Sequence, residues 1–132
     1  MKQFNKKGEK MIIVNRLLAA TLVSMLGFSA VNAASNDALV KEGRKVFVTK
    51  KLGNCLACHT VQNDPNIPQA GNIGPKLSNM DTYPKEYIFN KIWDPNKTNP
   101  NTVMPPQGRS HKISKHQIDA LVAYLQATAK AK

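Results

Sequence analysis

Cysteine is scarce in this chain. There are two in 132 residues, and both lie in one pentapeptide, Cys55-Leu56-Ala57-Cys58-His59. With both committed there, no cysteine remains for the disulfides that staple many small exported domains. A four-ligand zinc site would need two more ligands at matching spacing, and the other histidines, His111 and His116, lie far along the chain. Acidic residues are also few, 8 Asp and Glu against 19 Lys and Arg, for a formal net charge of +11. The chain shows no paired carboxylates and no nucleophile–base arrangement, so bond-forming catalysis has no candidate residues. Strand-type alternation, internal repeats and a second domain are lacking as well. The longest apolar stretch, Leu17 to Ala30, is too short for a comfortable membrane span.

That stretch has another meaning. Lys2, Lys6, Lys7, Lys10 and Arg16 form a basic front before it, and Val31-Asn32-Ala33 offers small side chains after it. This is the pattern of a signal peptide. Residues 1–33 are expected to direct export, to the periplasm, leaving one domain over 34–132. An uncleaved anchor is the alternative, and Met11 is an alternative start. In an exported protein the excess of basic residues does not point to nucleic acid.

The pentapeptide is the signature of c-type haem attachment. Each thiol can add to one vinyl group of the porphyrin. Two intervening residues let a single turn reach both vinyls, and the histidine that follows points its imidazole at the iron. A thioredoxin-like redox pair is the competing reading, but that motif belongs beside a βαβ pattern, which is absent. A domain of this size needs help to build a core, and a large apolar haem held covalently supplies it.

The mature chain is expected to open with a helix capped by Ser35 or Asn36. Leu39, Val40, Val46 and Phe47 share one face of it. Gly43 sits in the middle of that face, at a cost of about 1 kcal/mol against alanine, which a closely crossing second helix would offset. Pro84 to Trp93 reads as a short helix, with Tyr87, Ile88 and Ile92 on one side and Pro95 as its stop. The last helix follows a capping box, Ser114 with Gln117, and a hydrophobic staple, Ile113 with Ile118. Ile118, Leu121, Val122 and Leu125 then form its apolar stripe. Between these helices, Thr60 to Asn72 and residues 95–112 are irregular. Irregular stretches this long are uncommon unless they have a task, and wrapping a haem is one.

Four side chains compete to be a second iron ligand: Met80, Met104, His111 and His116. Met104 is the expected one, because two prolines follow it and restrict the loop. An ordinary packing methionine is the bland alternative.

Taken in order, Gly43-x-x-x-Phe47, Cys55-x-x-Cys58-His59, Gly74-Pro75-x-Leu77, Met104-Pro105 and Ala123-Tyr124-Leu125 resemble the class I cytochromes c over essentially the whole mature chain. The resemblance implies an all-α fold, helices and long loops wrapped around one covalent haem c. It implies that the first and last helices cross near Gly43. It also implies His59 and Met104 as axial ligands, with the Pro75 carbonyl accepting a hydrogen bond from the His59 ring. Within that class, Gly71-Asn72-Ile73-Gly74-Pro75-Lys76-Leu77 and Asn99-Pro100-x-Thr102-x-Met104-Pro105-Pro106 are similar to the SoxX family. Gln107, where phenylalanine is common in that family, and the polar Gly108 to Lys112 depart from it. The family likeness implies a non-catalytic electron-transfer subunit of a cysteine S-thiosulfotransferase. Its partners would be a SoxA-type cytochrome subunit, the SoxYZ carrier reached through the complex, and a downstream electron acceptor. A free periplasmic electron shuttle is the alternative. A haem enzyme or sensor with an open iron site is a third reading.

Overall fold

The C-terminal helix is the member on which the rest is laid. The computed structural model describes residues 35–67 and 71–131. The expected signal peptide, residues 1–33, lies outside them. Contacts group Asn36–Lys132 into one compact unit. Its helices are α1, helical from 35 to 48, α2, Lys85–Trp93, and α3, Lys115–Lys130. Three short 3-10 turns, Cys55–Ala57, Met80–Thr82 and Pro95–Lys97, punctuate the loops between them. Among the described residues the β structure amounts to an isolated parallel bridge between Val61 and Leu77. The fold is all-α, and none of the described helices is long and apolar enough to cross a membrane.

Helix α3 starts where its capping box dictates. Ser114 Oγ accepts from the Gln117 N–H at 3.2 Å, and Gln117 Oε1 accepts from the Ser114 N–H at 2.9 Å. Two of the helix's orphan donors are satisfied reciprocally. The apolar stripe follows at helical spacing, and Ile118, Leu121, Val122, Tyr124 and Leu125 are all buried. Ile113, just before the cap, is buried in the same core as Ile118.

Helix α1 presses against this stripe. A Cβ built on Gly43 would collide with the Ala120 carbonyl of α3 and with Tyr124 Cβ. Only glycine permits that approach, which offsets its poor helix propensity. One turn on, the Phe47 and Tyr124 rings meet at 5.6 Å and 54°, a tilted pair of the kind aromatic quadrupoles favour. Ser35 and Asn36 are both already helical. The expected cap thus falls at the edge of the described residues, which begin at Ser35.

Helix α2 uses Pro84 as its N-cap and ends at Asp94, where Pro95 cannot continue it. Ile88 and Ile92 are buried, but Tyr87 is 48% exposed. It stands at the edge of the apolar face and stacks on Tyr83 at 5.3 Å.

A polar network absent from the sequence reading locks the frame. Asp64 accepts from Arg44 Nε of α1 at 2.9 Å and from the Tyr124 hydroxyl of α3 at 2.8 Å. It also turns the local backbone, taking the Asn66 N–H at 3.0 Å. Burial pushes the Asp64 carboxyl up, but the hydrogen bonds from Tyr124, Arg44 and Asn66 and the Arg44 charge outweigh it, so the carboxyl lies below its ordinary 3.8. A depressed native value means stabilisation that is fully present above the unfolded value and lost as pH falls through the native one. In the haem-loaded protein, Tyr124→Phe should therefore cost about 1.5–3 kcal/mol at pH 7, the net worth of a hydrogen bond to a charged group. The gap to wild type, read from urea unfolding midpoints, should shrink as pH is lowered through the region below 3.8. A gap that stays constant with pH would show that Asp64 is not its source.

Candidate functional site

The cysteine-histidine turn owes its shape to the residue before it. Asn54 adopts a left-handed conformation, φ 52 and ψ 34, which asparagine tolerates better than most residues. The chain thereby enters a tight 3-10 turn over Cys55–Ala57. The N–H groups of Cys58 and His59 both donate to the Cys55 carbonyl, at 3.1 and 2.9 Å. One turn thus brings both sulfurs and the imidazole to the same cavity. Burial, with a smaller contribution from nearby Cys58, pushes the Cys55 thiol up to about 12. At neutral pH it is a protonated, weakly nucleophilic thiol.

The segment opposite holds the imidazole. The Val61–Leu77 bridge runs the chain after His59 beside the chain after Pro75, with Leu77 N–H donating to the Thr60 carbonyl at 2.8 Å. His59 Nδ1 lies 2.8 Å from the Pro75 carbonyl oxygen. A carbonyl can only accept, so Nδ1 carries the proton and Nε2 keeps its lone pair. Gly74 lies flat on the ring, since a Cβ there would run into three ring atoms. Its own N–H is fixed to the Cys58 carbonyl at 2.8 Å.

Cys55, Cys58, His59, Pro75 and Met104 all line one cavity of about 970 Å³. That is the upper end of the range for small-molecule sites. Its inner wall is the apolar core itself, Phe47 of α1, Ile88 and Ile92 of α2, and Leu121 and Leu125 of α3. Met80 lines it too, whereas His111 and His116 do not. His116 instead pairs with Glu42 at 3.0 Å on the surface, and His111 sits in a positive-φ turn. Among the described residues no group of three or more His, Cys, Asp and Glu side chains could hold a separate metal ion. The cavity offers two cysteine sulfurs, an imidazole and two thioethers against a mostly apolar wall, and these residues fit a haem c held through the two sulfurs.

The mouth was not legible in the sequence. Ile73 is 71% and Val103 83% exposed, and Tyr83 and Tyr87 are each nearly half exposed. All four line the cavity. Lys50, Lys91 and Lys112 line it as well, and no acidic side chain among the described residues does. Ile73, Tyr83, Tyr87 and Val103 give the cavity an apolar rim.

A family profile for cytochrome c matches residues 40–129. Among solved structures the chain is similar to one in the crystal structure of SoxXA from P. pantotrophus, at 25% identity and a TM-score of 0.56. That likeness covers 68% of this chain and 81% of that one. No curated protein matches the chain in a sequence search.

Two outcomes follow from the geometry. Produced with a c-type maturation system, the protein should carry haem that survives acid–acetone extraction, and the double variant Cys55→Ala, Cys58→Ala should lose it. Gly74→Ala should force the His59 ring off its position, destabilising the loaded protein by about 1–3 kcal/mol as overpacking does. Urea unfolding together with the visible spectrum reads both the loss and the disturbed ligand. A wild-type spectrum and midpoint in Gly74→Ala would refute the clamp.

Proposed function

The chain belongs to the cytochrome c family, and we propose that within it the protein is the monohaem electron-transfer subunit of a SoxAX-type complex, exported to the periplasm by residues 1–33. In this reading Cys55 and Cys58 hold one haem c through thioether bonds, and His59 and Met104 are its axial ligands. When bound, the haem supplies a one-electron redox site. The chain's own residues tune it. Pro75 keeps the proton on His59 Nδ1 and so directs Nε2 inward, a contact that also raises the ring's basicity. A Met104 thioether raises the potential above that of a bis-histidine site.

The observation that carries the reading is the likeness to a chain of the SoxXA crystal structure over 81% of that chain. The partner would be a SoxA-type cytochrome. Joining a thiosulfate sulfur to a thiol of the SoxYZ carrier forms one S–S bond and releases the thiol proton and two electrons. This chain has no cysteine outside the haem motif and no side-chain set for that bond, so its part is to take the electrons singly and pass them to a downstream acceptor. Lys50, Lys91 and Lys112 at the mouth favour a second reading, a free shuttle steered to acidic partners.

One reconstitution separates the two. The purified haem protein alone should accept electrons from a chemical reductant but fail to couple thiosulfate to SoxYZ. Adding a SoxA-type subunit should produce a stable heterodimer and restore coupling. A protein that stays monomeric with SoxA at micromolar concentration, yet exchanges electrons rapidly with an oxidase, would establish the shuttle and overturn the subunit reading.

A further inference from the structure

The loop that carries Met104 is held unevenly. Its second half is tied down many times over. Ser110 N–H donates to the Pro106 carbonyl at 2.9 Å, and Lys112 N–H to the Gln107 carbonyl at 3.0 Å. Arg109 clips the loop to the end of α2 through its N–H on the Trp93 carbonyl at 3.0 Å and its Nε on Asp94 at 3.0 Å. The first half has fewer ties outside itself: Lys91 of α2 reaches the Thr98 hydroxyl, and the other bonds are local. Thr102 N–H reaches the Asn99 carbonyl at 3.1 Å, Asn101 N–H reaches Asn99 Oδ1 at 3.3 Å, and Met104 N–H reaches Thr102 Oγ1 at 3.2 Å. Next to Met104, Val103 is almost wholly exposed. Met104, packed against the core, thus stands between a segment clipped to the end of α2 and one with fewer ties.

One side chain crosses from this junction to the cysteine turn. Gln107 Nε2 donates to the Gly53 carbonyl at 3.2 Å. Among the described residues it is the hydrogen bond that joins the Met104 loop to the turn leading into Cys55. Both ends are well placed. Gln107 is half-buried in the cavity wall. Gly53 is wedged so tightly that a Cβ on it would lie 3.1 Å from Cys55 Sγ and 3.0 Å from the Val46 carbonyl.

We propose that Gln107 is a latch: its side-chain amide, bonded to the Gly53 carbonyl, holds the Met104 loop closed against the cysteine turn and so positions the Met104 thioether in the cavity. It is a positioning residue, acting through the loop and not by contact with iron. The proposal rests on Met104 being the ligand, as read above, but not on any Sox partner. A net hydrogen bond of this kind shifts a closing equilibrium by about 2- to 12-fold.

The test uses the oxidised, haem-loaded protein and imidazole as the probe, since an added ligand reaches iron only when the thioether has left it. Gln107→Leu keeps the bulk of the wall but has no donor. Gln107→Glu keeps the shape and, ionised, can only accept. Both should bind imidazole about 2- to 12-fold more tightly than wild type, and both should lose the far-red thioether band at lower denaturant concentration. Haem content should not change. Met104→Ala is run alongside. A far-red band that persists in Met104→Ala overturns the Met104 reading and the latch with it. Loss of that band in Met104→Ala, together with wild-type imidazole affinity in Gln107→Leu, overturns the latch alone, as does an effect confined to Gln107→Glu, which would be one of charge.

Discussion

The fold depends on how closely α1 and α3 approach. At Gly43 the Ala120 carbonyl occupies the volume a side chain would take, so the two backbones meet with nothing between them. That contact sets the distance at which the Phe47 and Tyr124 rings pair and at which Arg44 and Tyr124, one from each helix, converge on Asp64. Asp64 belongs to the loop that leaves His59. The helix crossing therefore places not only the core but also the stretch of chain that pairs, at Val61, with the segment holding the imidazole. Widening the crossing would loosen the site through the same residues.

The second constraint is one of volume. A domain of this size buries a smaller share of its surface than a large one does. Phe47, Ile88, Ile92, Leu121 and Leu125 belong to the core cluster and at the same time form the cavity wall. Core and binding site are one surface seen from two sides. The walls that complete the cavity are loops with little regular hydrogen bonding, and they are pinned at a few points: the Val61–Leu77 bridge, the Gly74 N–H on Cys58, and the tie between Gln107 and Gly53. A prosthetic group tethered by two covalent bonds is the kind of centre such a shell needs, since it contributes buried apolar area without adding chain entropy.

Features governed by local spacing were open to reading from the sequence. The capping box at Ser114, the stripe from Ile118 to Leu125, the stop at Pro95 and the glycine crossing at Gly43 all follow from periodicity or from the demands of one residue type. The cysteine-histidine turn is local in the same way, and Cys55, Cys58, His59, Pro75 and Met104 share one cavity. What escaped the sequence reading depends on pairs far apart in the chain. Asp64 with Tyr124 and Gln107 with Gly53 join segments whose separation carries no periodic signal. Asp64-Pro65-Asn66 has the look of a turn, but nothing in it names Arg44 or Tyr124 as partners. Tyr87 was assigned to the buried face by spacing alone, yet it sits at the rim, where a ring can be half covered and still stack on Tyr83.

The treatment of His59 has a consequence for speed. Its ring lies against Gly74 on one side and is tied through Nδ1 to Pro75, two contacts that oppose tilting and rotation. An electron carrier must change charge without changing shape, because every ångström its ligands move between oxidation states must be supplied as activation energy before the electron crosses. With His59 as the proposed ligand, a ring held on two sides would have less to rearrange, and the glycine that looks like a packing detail would serve the rate of transfer.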